Sequence, residues 1–185
     1  MNELVLRNRQ RTRPLRLPLL RRVALGLLTD QFDLQEFALG IHLVGTREMI
    51  RLNRRFLGHQ GSTDVITFDH RVPVRRQAPF PQVPSPASDA VDGEIFICID
   101  EALSQARRFR SNWQSELVRY LVHGVLHLVG FDDATPAARA VMKREEGRRL
   151  RWLSRRFHLK DLGISPTPRT RPGRKSPIAN RPYSI

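Results

Sequence analysis

The sequence predicts a single layered α+β domain with a mixed four-stranded sheet and about five helices. Three observations point there. Strand-like apolar runs are interleaved with stretches of helical period, an alternation that leaves α/β as the neighbouring alternative. The chain has 185 residues, 40% of them hydrophobic, enough for one domain with a sizeable core. It holds one cysteine, so no internal disulfide substitutes for that core.

Taken in order, Glu3 to Arg7 alternates like a short strand, and Leu15 to Leu28 is leucine-rich with helical spacing. Pro14 and Pro18 suit the entrance of that helix, where a missing N–H costs nothing. Phe37 to Val44 reads as the second strand, and Thr46 is the expected N-cap of a helix running to about Phe56. Gly58 and Gly61 open a loop before a third strand, Val65 to Phe68. Val72 to Ser88 is proline-rich and is expected to form no regular structure. Gly93 to Ile99 is almost unbroken in apolar residues, which predicts a central strand covered on both faces, with Cys98 as a buried thiol of a reducing compartment. Asp100 is expected to cap the next helix. Glu116 to Leu128 and Ala137 to Arg156 complete the set.

Residues 1–160 carry this pattern. Residues 161–185, and above all Ser165 to Ile185, are rich in Pro, Arg and Ser and poor in core-forming residues, which predicts a disordered basic tail. No apolar run has the length of a membrane span, and the chain opens Met-Asn-Glu-Leu-Val-Leu, unlike a secretory signal; a cytoplasmic protein is expected.

The chemistry concentrates in His123-Gly124-Val125-Leu126-His127-Leu128-Val129-Gly130-Phe131-Asp132-Asp133. Histidines four apart on a helix leave the same face one turn from each other and can chelate one metal ion. Gly130 tolerates the left-handed conformation that ends a helix, so the chain can double back and bring Asp132 or Asp133 as third ligand. Two His and one carboxylate leave a fourth position open, as in catalytic zinc sites and unlike closed, thiolate-rich structural ones. Metzincin-type proteases use the same spacing but need Glu directly after the first His as general base. Here that residue is Gly124, which disfavours peptide hydrolysis.

The run resembles the hallmark of the YbeY endoribonucleases, H-G-x-L-H-L-x-G-(Y/F)-D-H, at every position but the last. The resemblance implies that Asp133 replaces a third zinc-binding His, while Asp132 matches an acidic residue that is not a ligand. A carboxylate oxygen binds zinc at about the distance of an imidazole nitrogen, so the exchange is chemically sensible and removes a positive charge. Upstream, Leu52-Asn53 through Thr63-Asp64-Val65-Ile66-Thr67-Phe68 is similar to the family's L-N-x-x-(Y/F)-R-x-x-x-x-P-T-(D/N)-V-L-S-F, and Met142 and Glu145 match its later M-x-x-E. Two positions depart: the family's Arg, implied in catalysis, aligns with Leu57, and its Pro with Ser62. Arg54, Arg55 and His59 are the neighbouring residues that could substitute.

The resemblance therefore implies a zinc-dependent, single-strand-specific endoribonuclease acting in maturation of the 16S ribosomal RNA 3′ end and in ribosome quality control. It places the metal site at the end of a central helix, with one Zn²⁺ held by His123, His127 and Asp133, which are also the catalytic set. Single-stranded rRNA and ribosomal subunits are the expected partners, with ribosomal or GTPase proteins as further ones. A formal net charge of +14, dominated by arginine, agrees with a polyanionic partner, although arginine faces that are simply solvated give the same sum. The alternative is a non-catalytic ribosome assembly factor whose metal is structural. A hydrolase of small molecules or peptides is disfavoured by Gly124 and by the charge.

Beside the motif, Thr63 and Asp64 could line the cleft or serve only as a turn device. His42, His70 and His158 are expected to be structural or solvated. Glu94 is expected either to face the site or to mark a sheet edge or end.

Overall fold

The computed structural model describes residues 2–71 and 90–164. The proline-rich 72–88 segment and the tail from Ser165 lie outside the described residues. The strands are β1 (Asn2–Asn8), β2 (Glu36–Val44), β3 (Val65–Asp69) and β4 (Ala90–Cys98). The α-helices are α1 (Leu17–Gly26), α2 (Thr46–Leu52), α3 (Ile99–Phe109), α4 (Trp113–Leu128) and α5 (Pro136–Arg156). Single π turns extend α1 over Leu27–Gln31, past the expected end at Leu28, and α2 over Asn53–Leu57, which carries it to the end expected near Phe56.

The sheet order is β1-β2-β4-β3, with β1 and β4 both parallel to β2 and β3 antiparallel to β4. The mixed four-stranded sheet and five helices are thus present. Strand alternation sorts the side chains between two faces. Phe37, Leu39, Ile41, Leu43, Val91, Ile95 and Ile97 point into the main core, which they share with Leu20, Val23, Leu27, Leu117, Leu121, Val125 and Leu153 of α1, α4 and α5. The intervening residues Val44, Ile66, Phe96 and Cys98 form a smaller cluster beneath Met49 of α2. Cys98 is a buried free thiol, as expected, and burial raises its pKa.

β4 is central, but only its C-terminal half is covered on both faces. Asp92 and Glu94 point away from α4 and remain partly exposed, at 56% and 38% of their side chains. Glu94 accordingly does not face the histidine motif; it pairs with His42 at 2.9 Å.

Two caps differ from expectation. The N-cap of α3 is Cys98, with Asp100 inside the first turn, and the N-cap of α2 is Gly45, with Thr46 as its first helical residue. Asp100 still caps a helix, but α2: its Oδ2 accepts from the Thr46 N–H at 2.7 Å and hydroxyl at 2.9 Å, and its Oδ1 from the Thr12 hydroxyl at 2.7 Å. Burial opposes its ionisation, yet these hydrogen bonds outweigh burial and its pKa is lowered. For α4 and α5 the caps are conventional, with Asn112 and Thr135 side chains accepting from the N–H groups three residues on.

α4 crosses the sheet over β3 and β4, and at Gly124 it lies close against it. A Cβ there would meet the Ile95 side chain at 2.8 Å and Thr67 at 3.3 Å. The glycine between the two histidines therefore sets the height of the metal helix above the sheet. A glutamate at this position would point into the sheet, so the geometry joins the sequence in disfavouring a zincin-type general base.

Candidate metal centre

His123 and His127 lie one turn apart on α4, half-buried, and their Nε2 atoms approach to 3.2 Å. The other nitrogen of each ring is already engaged. Nδ1 of His123 is 3.2 Å from Oε2 of Glu146, and Nδ1 of His127 is 3.2 Å from the carbonyl of Phe131. An ionised carboxylate and a carbonyl can only accept, so both Nδ1 atoms carry the proton and both Nε2 lone pairs face one point. Two lone pairs this close repel unless a proton or a cation sits between them. For a tetrahedral zinc with nitrogens about 2.0–2.1 Å away, the N···N edge is about 3.3 Å, which fits the observed 3.2 Å.

The third donor comes from the turn after the helix. Gly130 has φ of +100°, its N–H donates to His127 O and that of Phe131 to Leu126 O. This is the Schellman pattern, in which a left-handed glycine closes the helix and reverses the chain. The reversal aims the Phe131 carbonyl at His127 and brings in the aspartates. Asp133 offers a carboxylate oxygen within 4.8 Å of both histidine donor atoms, and no other such cluster of three occurs among the described residues. Asp132 is used differently: its Oδ1 accepts from the Asp133 and Ala134 N–H groups at 2.8 and 3.2 Å, shaping the turn into α5. Of the two carboxylates that the sequence left open, Asp133 is the one within reach.

Charge follows the same layout. Burial works against the His123 imidazolium, but the hydrogen bond and charge of Glu146 outweigh it and its pKa is raised. His127 is lowered, first by burial and then by the positive His123 beside it. In this form one proton shares the space between the rings, where a divalent cation satisfies both.

Glu146 was not evident from the sequence, where Glu145 matched the family pattern. Glu145 instead pairs with Arg148 and Arg149. Glu146 is held by Arg119, whose Nη1 donates to Oε1 at 2.9 Å, and Arg119 is fixed by Glu116 at 3.2 Å. Arg119, His123 and His127 are successive fourth residues on α4, and Glu146, one turn after the buried Met142 on α5, reaches the first two. The spacing of Arg119 from His123 was the signal available beforehand.

Thr63 and Asp64 sit at the entrance of β3. The Thr63 hydroxyl and the Val65 N–H both donate to Oδ1 of Asp64, and the charge of Asp64 contributes to the raised pKa of His123. Leu57 is half-exposed at the end of the π turn. No hydrogen bond or ion pair joins Arg54, Arg55 or His59 to His123, His127 or Asp133 among the described residues. His42 is buried and stacked on Phe96, His70 is half-exposed beside Asp92 and Glu94, and His158 is exposed.

A sequence model described as endoribonuclease YbeY matches residues 6–154. The chain belongs to the endoribonuclease YbeY family. Relatives carrying that name include proteins of Chlorobium phaeovibrioides, 40% identical over 109 residues, and Elusimicrobium minutum, 39% over 105 residues. The alignments cover 59% and 57% of this chain and 64% and 66% of those proteins, so the chain matches just under two thirds of their length. Another YbeY relative, from Salinibacter ruber, is 37% identical over 100 residues, 52% of this chain and 57% of that protein. A Thermotoga maritima protein of known solution structure shares the fold seen here, with TM-score 0.58 and 20% identity over 91% of this chain and 100% of its own.

Proposed function

We propose that this chain is a zinc-dependent endoribonuclease that cuts single-stranded RNA, acting on ribosomal RNA, including the 16S 3′ end, and in ribosome quality control in the cytoplasm. The observation that carries this reading is the convergence of two Nδ1-anchored imidazoles and the Asp133 carboxylate on one point. Family membership supplies the reaction class: the relatives are named endoribonucleases. The basic composition suits an RNA substrate, and no helix among the described residues is long and apolar enough to cross a membrane.

His123, His127 and Asp133 would hold the metal. When bound, zinc supplies Lewis acidity toward the scissile phosphate and a water acidified toward neutrality. The protein's own groups do the rest. Glu146 and the Phe131 carbonyl fix both ring orientations and tautomers, so no reorganisation is needed at the moment of reaction. Arg139, exposed and donating from NH2 to the Asp133 carbonyl at 3.1 Å, places a guanidinium beside the ligand loop to meet a phosphate oxygen. Ribosomal subunits, with ribosomal or GTPase proteins, are the partners in this reading.

Metal-loaded protein freed of contaminating nucleases should cleave single-stranded RNA at a rate that His127→Ala loses; equal rates would sink the proposal. The position of Leu57 favours one second reading, because a leucine cannot stabilise phosphate charge where the family has Arg. In that reading the chain is a ribosome assembly factor with a structural metal. It predicts salt-dependent RNA affinity in the wild type without turnover.

A further inference from the structure

Many described arginines have carboxylate partners: Arg9 pairs with Glu48, Arg71 with Asp69, Arg119 with Glu146, and Arg148 and Arg149 with Glu145. The outward face of α2 is different. Arg47, Arg51, Arg54 and Arg55 recur at helical spacing, all exposed, while Met49 and Asn53 turn inward. None of the four is ion-paired among the described residues, and Glu48, the acidic residue of this helix, is occupied by Arg9. With Ile50 they line a surface depression of about 540 Å³.

The same face ends in apolar surface. Phe56 and Leu57, in the π turn, are 52% and 50% exposed. The Phe56 ring is steadied by the edge of Phe68 at 5.0 Å and by the Arg55 guanidinium 5.3 Å above it. Beyond it Asn53 donates to the Gly61 carbonyl at 3.0 Å, bracing a loop that ends at Thr63 and Asp64, and the charge of Asp64 acts on His123. α2 and α4 lie on opposite faces of the sheet, and β3, which this loop enters, is the sheet edge between them.

We propose that the arginine face of α2, with Phe56 at its end, is a docking surface for single-stranded RNA that leads round the β3 edge to the metal centre. Unpaired guanidiniums are matched to successive phosphates, and an exposed ring can stack only on a base that is not already paired. A duplex hides its base faces, so the aromatic end selects single strands. The proposal deepens the nuclease reading and rests on it for the direction of the strand.

The test measures fluorescence anisotropy of a labelled oligouridylate, and of a duplex RNA of matched length, with the full chain. Arg51→Ala/Arg54→Ala should weaken oligouridylate binding at least about tenfold and reduce the slope of log affinity against log salt by about 1.4, two phosphate contacts on a single strand. Phe56→Ala should cost about tenfold on the single strand and nothing on the duplex. A second cluster, Arg107 and Arg108 beside the exposed Phe109 at the end of α3, has similar composition but joins α4 at its start, away from the histidines near its end, and serves as control. Arg107→Ala/Arg108→Ala should bind as wild type, and metal content should be unchanged in all these variants. Wild-type affinity in the α2 variants, or an equal loss in the α3 variant, overturns the docking surface. Cleavage of the same oligouridylate by metal-loaded wild type beside His123→Ala separates the two claims: α2-dependent binding in a wild type that cleaves no faster than His123→Ala leaves the docking surface standing and removes the nuclease reading.

Discussion

The molecule holds two pairs of histidines with carboxylates between or beside them, and among the described residues only one pair converges as a candidate ligand set. His123 and His127 leave a helix four residues apart, and their Nε2 atoms meet at 3.2 Å because each Nδ1 is pulled back by an acceptor. His42 and His70 leave β2 and the end of β3, with β4 between them. There the carboxylates separate the rings: Glu94 contacts His42 at 2.9 Å and lies 3.9 Å from His70, whose Nδ1 is 3.7 Å from Asp92. His42 stacks flat on Phe96 at 4.4 Å, and its Nδ1 is buried without a partner among the described residues, so none of them turns its ring toward a common point. What sets the candidate metal centre apart is therefore the anchoring of the far nitrogen, more than the presence of His and Asp or Glu together.

Replacing a ligand should have the largest effect. His127→Ala or Asp133→Ala should lower metal affinity by more than about a hundredfold, beyond the range for outer-shell changes, as read by competition with a chromogenic chelator. Glu146→Ala should cost about ten- to a hundredfold in the same assay, with Glu146→Gln milder because its amide oxygen can still accept from His123. An unchanged affinity in Glu146→Ala would break the anchoring argument itself. On stability, Gly124→Ala should destabilise by about 1–3 kcal/mol through overpacking against Ile95, measured by urea unfolding. His42→Ala should leave metal affinity as in wild type, since that pair converges on nothing.

Acid sensitivity should have a share on the α2 side, beside that of Asp69, Glu145 and Glu146, whose pKa values are also lowered. Asp100 has a lowered pKa in the fold, so its contribution is present above the unfolded carboxylate value, about 3.9, and is lost as pH falls through the lower folded value. Asp100→Asn should lower the urea midpoint at neutral pH and narrow the gap to wild type in strong acid. A gap that widens on acidification would contradict that assignment.

What could be read in the sequence beforehand follows from range. Strands and helices were legible because apolar periodicity is local: the Val65 and Gly93 strands and the α4 and α5 helices fall within a few residues of expectation. Gly130 was legible because one left-handed residue in a short motif has few other uses. The Asp100 cap was misplaced because its partner, Thr46, lies 54 residues away, and a first-turn aspartate reads as a local cap until the two helices are seen side by side. Glu146 was missed for the same reason: adjacent glutamates on α5 are equivalent until that helix is docked, after which one faces His123 and the other Arg149. The choice between Asp132 and Asp133 likewise needed the turn itself, in which Asp132 spends its oxygen on two backbone N–H groups.

The most direct test is metal content by mass spectrometry of the purified, tag-free protein beside Asp133→Ala, Asp132→Ala and His42→Ala. The account predicts one zinc per chain in the wild type, kept in the Asp132 and His42 variants and lost in the Asp133 variant. No stoichiometric metal in the wild type, or a metal that survives Asp133→Ala and disappears with Asp132→Ala, would contradict it.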